Sequence, residues 1–268
     1  DWAATAGSQD ITAPNFAVDD VFWGTILSAA AYDVSAGGCT LQFGVSSKQG
    51  EENYSLEFKA NDGSLTSEAT TFALTTAFTN AALTDYDAQG FTVGAGAVGD
   101  RFFYLALGFN GAVNRWAGIV TTKTASGDQA HTEPGFKPQF VLHLCSPAAL
   151  IDETLTADAD GAGSFGIGVF TAFEAFTTIV TDSAGSATMN TQSYVQSRPG
   201  VSRKGSQANT FALTFVSMDI PGWTVNYSAA DATPRKWPTY VIGEFPRPHR
   251  VALIEDDLEV HPPKAVAV

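Results

Sequence analysis

The chain has 268 residues, with 28 acidic against 14 basic side chains and a formal net charge of -14. So negative a chain repels phosphate backbones, which disfavours nucleic acid as a partner. Hydrophobic residues make up 44% and charged residues 16%, too apolar for a disordered chain, yet no apolar run reaches the ~20 residues of a membrane helix, so no membrane insertion is expected.

The opening Asp1-Trp-Ala-Ala-Thr5 lacks the basic-then-apolar pattern of a signal peptide. Beyond it, short apolar stretches alternate with turns rich in Gly, Pro, Ser and Thr, the punctuation of an all-β protein. Period-two alternation marks strands in Cys39-Thr-Leu-Gln-Phe-Gly-Val45, Tyr54-Ser-Leu-Glu-Phe58 and Phe91-Thr-Val93. It returns in Phe211-Ala-Leu-Thr-Phe215 and Trp223-Thr-Val-Asn-Tyr227. Phe102 to Leu107 and Tyr240 to Ile242 read as strands buried on both faces. Ser28 to Ala31 and Asn80 to Leu83 have the alanine for one helical turn each, and no segment sustains a helical period.

Five short matches recur in the same order at offsets that drift slowly. Phe16 and Val21 match Phe136 and Val141, and Phe43-Gly-Val45 matches Ile167-Gly-Val169. Phe72-Ala-Leu-Thr75 matches Phe211-Ala-Leu-Thr214, and Gly90-Phe-Thr-Val93 matches Gly222-Trp-Thr-Val225. Tyr104-Leu-Ala-Leu-Gly108 matches Tyr240-Val-Ile-Gly243. The expected organisation is an N-terminal extension (1-11), a β-sandwich module (12-109), a linker (110-131), a second module (132-245) and a Pro-rich acidic arm (246-268). Modules of this size suit a jelly-roll-like or immunoglobulin-like sandwich arising by internal duplication. If the arm is held, Val251, Leu253 and Ile254 are its anchors, on the other module or on a neighbouring subunit.

Each chemical motif has a plain structural reading beside it. Gly94-Ala-Gly-Ala-Val-Gly99 follows a strand but precedes another, whereas a dinucleotide site needs a helix there. Asp85-Tyr-Asp87 and Asp158-Ala-Asp160 offer oxygens to calcium but lack the closing bidentate Glu, and both suit hairpin loops. The two cysteines, Cys39 and Cys145, make neither a disulfide framework nor a zinc cluster. His131, His143, His249 and His261 show no metal spacing, and His143 reads as a half-buried strand residue. Ser164 stands outside any nucleophile elbow. Asp19-Asp20, Glu51-Glu52, Asp152-Glu153 and Glu255-Asp-Asp257 read as solvated surface rather than as the paired carboxylates of a glycosidase. Of the tryptophans, Trp116 and Trp237 lie beside Gly or Pro and are the candidates for an exposed glycan or partner contact, with core burial as the competing reading. No cofactor and no catalytic residue is expected.

Asp87-Ala-Gln-Gly-Phe-Thr-Val93, Tyr104-Leu-Ala-Leu-Gly108, Gly135-Phe-Lys-Pro-Gln-Phe-Val-Leu142 and Gly163-Ser-Phe-Gly-Ile-Gly168 together resemble repeat modules of tailed-bacteriophage structural proteins. The first copy departs from the pattern, with Phe16-Ala-Val-Asp-Asp-Val21 where the second has Phe136-Lys-Pro-Gln-Phe-Val141. The resemblance implies a non-enzymatic virion protein on the particle exterior, as capsid decoration (cement) or as a tail or fibre component. Its partners would be other virion proteins and copies of itself, a trimer by analogy. The alternatives are a carbohydrate-binding module for host attachment, with a surface glycan as partner, and a polysaccharide-degrading enzyme.

Overall fold

The computed structural model describes residues 7-28, 39-48, 52-60, 70-75, 81-95, 101-109, 113-145, 149-150, 153-156, 164-181, 192-203 and 209-244. Every regular element among them is a β-strand, and all the pairings are antiparallel. Of the Asn80 to Leu83 stretch expected as a helical turn, Ala81 to Leu83 lie in a strand, and Asn80 lies outside the described residues.

The first half holds β1 (Gly7–Ile11), β2 (Asp20–Ser28), β3 (Cys39–Ser47), β4 (Glu52–Ala60), β5 (Thr70–Thr75), β6 (Ala81–Tyr86), β7 (Phe91–Ala95) and β8 (Arg101–Leu107). Its large sheet runs β5-β4-β3-β2-β8 and its small sheet β1-β7-β6. The second half holds β9 (Arg115–Thr121), β10 (Gly127–His131), β11 (Pro138–Cys145), β12 (Glu153–Thr156), β13 (Ser164–Phe170), β14 (Ala175–Thr181) and β15 (Gln192–Gln196). It continues through β16 (Val201–Arg203), β17 (Asn209–Asp219), β18 (Gly222–Ala229) and β19 (Lys236–Gly243). Here the large sheet runs β15-β14-β13-β11-β19-β9 and the small sheet β10-β18-β17-β16. Putting β10, β11, β13, β14, β15, β17, β18 and β19 in the places of β1 to β8 reproduces both orders.

The agreement reaches single residues. Ile11 pairs with Phe91 as His131 pairs with Trp223. The turn that follows is closed by Asn15 N–H to the Thr12 carbonyl (3.1 Å) in one half and by Gly135 N–H to the Thr132 carbonyl (3.2 Å) in the other. Both turn residues lie in the left-handed region, at φ 56° and 77°. Gly90 and Gly222 each leave room for a backbone carbonyl, of Ile11 and of His131, where a Cβ would otherwise sit. The rings of Phe16 and Phe136 cover Gly108 and Gly243. Register shifts fall between Leu83 and Asp85 in β6 and between Phe215 and Ser217 in β17.

Two expected equivalences differ from the observed ones. Phe72 lies on β5 of a large sheet, whereas Phe211 lies on β17 of a small sheet, so the shared Phe-Ala-Leu-Thr joins strands of different position. Tyr104 stands opposite Trp23, and the residue opposite the corresponding His143 is Thr239, not Tyr240. The one-residue slip puts the two tyrosines on opposite sheet faces. Tyr104 packs with Phe91 inside its own half, and Tyr240 faces the other half. The expected boundaries fall between strands, but the extension and linker they set apart hold strands of the sheets. Residues 7-11 form β1, and the stretch expected as a linker carries β9 and β10 of the second half. The arm from 246 onward lies outside the described residues, as do Val251, Leu253 and Ile254.

Alternation explains the layering. Along β2, Val21 and Trp23 pack toward the small sheet with Phe91, while Asp20 and Phe22 turn toward the second half. Along β11, Val141 and Cys145 enter the core with Trp223 and Trp237, while Phe140 and Leu142 face the first half. The two large sheets therefore meet face to face through Val45, Tyr54, Ala117 and Tyr240. Strand β12 crosses from the second half to pair with β5 at the edge of the first large sheet. On this geometry, Gly222→Ala should destabilise the protein by about 3 kcal/mol, because its methyl meets unyielding backbone. Gly135→Asn should cost less than about 0.5 kcal/mol, since Asn tolerates a left-handed turn. Urea unfolding of the two variants checks the contrast.

Candidate functional site

The most specific polar geometry lies between the halves. At the start of β2, the Asp20 side chain is 0% exposed. Tyr240 on β19 donates its hydroxyl to Asp20 Oδ2 at 2.5 Å. Arg115 on β9 brings Nε within 3.3 Å of the same oxygen and an outer nitrogen within 3.1 Å of Asp19 Oδ2. Asp19 Oδ2 also accepts the Phe109 N–H at 2.6 Å, and the Phe109 ring lies 5.1 Å from the guanidinium carbon. Nearby, Tyr86 and Ser46 share a 2.6 Å hydrogen bond.

Burial pushes the Asp20 carboxyl up from its ordinary value, and this outweighs the opposing pull of Tyr240, Ser47 and Arg115. Removal from water also raises the Tyr240 hydroxyl, and Asp20 raises it further. Both effects hold the proton on the phenol, where it serves the carboxylate as a donor. Arg115 and Asp20 are too enclosed to meet a substrate. The arrangement joins two sheets and presents no reacting group to solvent. Sequence reading placed Asp19 and Asp20 on a solvated surface, and for Asp20 that is corrected. The signal that could have flagged it is the departure of Asp19-Asp20 from the corresponding Gln139-Phe140.

Beside this cluster the large sheets enclose a cavity of about 380 Å³. Phe22, Phe43 and Leu105 line it from the first half, and Phe140, Leu142, Leu144 and Ile167 from the second. Trp23 and Tyr104 also line it, so an indole N–H and a phenol stand among otherwise apolar groups.

A second buried group fills the second half. His131 stacks on Trp223 at 5.0 Å, and His143 Nδ1 lies 2.7 Å from the Thr239 hydroxyl among Phe170, Trp223 and Trp237. His143 is therefore fully buried, not half-buried. Burial pushes the Cys145 thiol up to about 12, which leaves it unreactive.

The tryptophan candidates do not form an exposed pair. Trp237 is 0% exposed in the core, where one face of β19 and the small sheet enclose it, so it has no surface for a sugar. Trp116 is half-buried against the same core, its ring lying over Gly118. Asp87 Oδ1 accepts the N–H groups of Gln89 and Gly90, both at 2.6 Å, which is the hairpin role of an Asp in a turn. Asp158, Asp160, His249 and His261 lie outside the described residues. Among the described residues, no three His, Cys, Asp or Glu side chains gather as a metal site.

Comparison of the chain with protein-family models, curated proteins and solved structures finds no match in any of the three.

The histidines predict a pH response. Burial lowers His143 from 6.5 to about 3, with His131 adding a smaller downward push, and lowers His131 to about 4 against a smaller upward pull from Glu133. Below pH 6.5 the unfolded chain therefore binds more protons than the folded one, and stability falls as the pH drops toward 4. Each unit costs ~1.4 kcal/mol per differential proton. Asp20 acts in the opposite sense at the acid end, because its raised carboxyl takes a proton earlier when folded. Urea midpoints should decline steadily from pH 6.5 to pH 4.5, and His131→Phe should make the decline shallower.

Proposed function

We propose that the chain is a non-enzymatic structural protein of a tailed-phage virion, carried on the particle exterior and built from two copies of one β-sandwich module. The duplication is supported by the shared strand orders, the matched turns at Asn15 and Gly135, and the matched glycines at 90 and 222. Consecutive hairpins within one sheet, β2 to β5, give the module its own order, and the small sheet supplies the second layer.

The observation that carries the structural role is the interlock between the halves. Strand β12 of the second half completes the first large sheet, while Asp20, Arg115 and Tyr240 are sealed between the sheets. The specific polar geometry thus serves to unite the molecule, as a shell or fibre component under mechanical stress requires. Exposed apolar side chains at the loop ends, Phe173 at 94% and Ile220 at 76%, offer contacts to copies of itself or to other virion proteins. Solution mass together with mass spectrometry of purified particles tests the reading. A homo-oligomer recovered from particles is expected. A strict monomer absent from particles contradicts it.

A further inference from the structure

The two large sheets end differently. In the second half β9 adds a strand to the outer side of β19, and among the described residues no strand takes the matching place beside β8. Thr239 stands opposite His143 as Tyr104 stands opposite Trp23, so Tyr240 to Gly243 correspond to Leu105 to Gly108. Gly243 N–H donates to the Asn114 carbonyl at 2.7 Å. Antiparallel pairing alternates, so Val241 and Trp237 also turn their backbone groups toward β9. Their counterparts, Ala106 and Phe102, turn the same groups to the outer edge of β8. That edge is Arg101-Phe-Phe-Tyr-Leu-Ala-Leu107, with no proline and no charge after Arg101, and it lacks the usual devices that keep other strands away.

The second sheet overhangs this edge. β9 lies against β3 and β4, Tyr240 on β19 meets Phe22 on β2, and Ile167 on β13 joins Leu105 on β8 around the cavity. β14 and β15 come next in the order, past the last strand of the first sheet. Leu142 pairs to Val169 and on to Phe176, and Leu144 to Ile167, Thr178 and Val195. These side chains therefore continue the face that covers the first half. Phe176 and Val195 are 51% and 73% exposed, and Leu105 is 58% exposed. The apolar interface between the halves thus runs on beyond β8 with only one of its two layers in place among the described residues.

We propose that β8 accepts an extended strand from a partner protein, antiparallel to it and apolar at alternate positions, which lies beneath Phe176 and Val195. β9 shows the fit, for at the matching edge it sets Ala117 and Ile119 against the first half and Val120 into the core below. The overhang selects the form of the partner. The edge of a folded sheet brings its own covering layer, which would collide with β14 and β15, whereas a lone segment passes beneath them. A second copy's β8 is unsuitable for that reason, since it carries the same overhang. The pairing does not rest on the particle reading, because it concerns the sheet edge alone.

A synthetic peptide with the sequence of β9 and its flanks, Asn114 to Thr122, is the probe, added to the full chain. Anisotropy of the labelled peptide should show saturable binding, and hydrogen exchange at Phe102 and Ala106 should slow in its presence. Leu105→Lys and Phe176→Ser, both at exposed positions, should weaken binding about tenfold or more, because each places a polar group in the apolar contact. Neither should shift the melting temperature. No binding, or binding that both variants retain, overturns the proposal. So does exchange at Phe102 and Ala106 that is already slow in the purified chain, which would put the chain itself or a second copy on the edge.

Discussion

A carboxylate removed from water needs partners, and Asp20 finds its tyrosine donor and its counter-charge in the other half of the molecule. Leaving such a charge unpaired costs several kcal/mol. Arg115 and Tyr240, on β9 and β19, offset that cost from across the interface. The first half alone gives the buried Asp20 no counter-charge. Nor can the second half hide Arg115 and Tyr240 without Asp20. The polar cluster is thus less a source of net stability than a constraint on how the sheets must meet.

The pairing is asymmetric, and the asymmetry follows from sequence. Where the first half carries Asp19-Asp20, the second carries Gln139-Phe140, with Phe140 packed into the same interface as an apolar contact. One half contributes the charge and the other receives it. Two similar sheets with identical faces could slide or pair with further copies, whereas a buried ion pair specifies a single registration. Strand β12 adds a backbone tie at the sheet edge, where four residues of the second half meet Thr71 to Leu74.

Much of the β architecture was legible because alternation and turn chemistry act locally. Phe91-Thr-Val93 and Trp223-Thr-Val-Asn-Tyr227 are strands for the reason their pattern suggests, and Gly90 and Gly222 mark turns where another backbone approaches closely. What escaped was non-local. Phe72 and Phe211 share a tetrapeptide, yet strand pairing puts them in different sheets. Tyr104 and Tyr240 miss equivalence by one residue, which period-two geometry converts into opposite faces. Trp237 was a candidate for exposure because it precedes a proline, but Pro238 sits inside a strand whose two faces are both covered. Asp20 looked solvated because a charged pair usually is, and only the distant Arg115 reverses that expectation. No local pattern announces β12, since its partner β5 lies some eighty positions earlier.

The central claim is that buried charge pairing makes the two halves one cooperative unit. Scanning calorimetry of the intact protein and of Arg115→Ala tests it most directly. The account predicts one transition for the intact protein, with equal calorimetric and van't Hoff enthalpies. It also predicts a loss of about 3 to 5 kcal/mol in the variant, which strands the Asp20 charge. Two separate transitions in the intact protein, or a loss below about 1 kcal/mol in the variant, would contradict it.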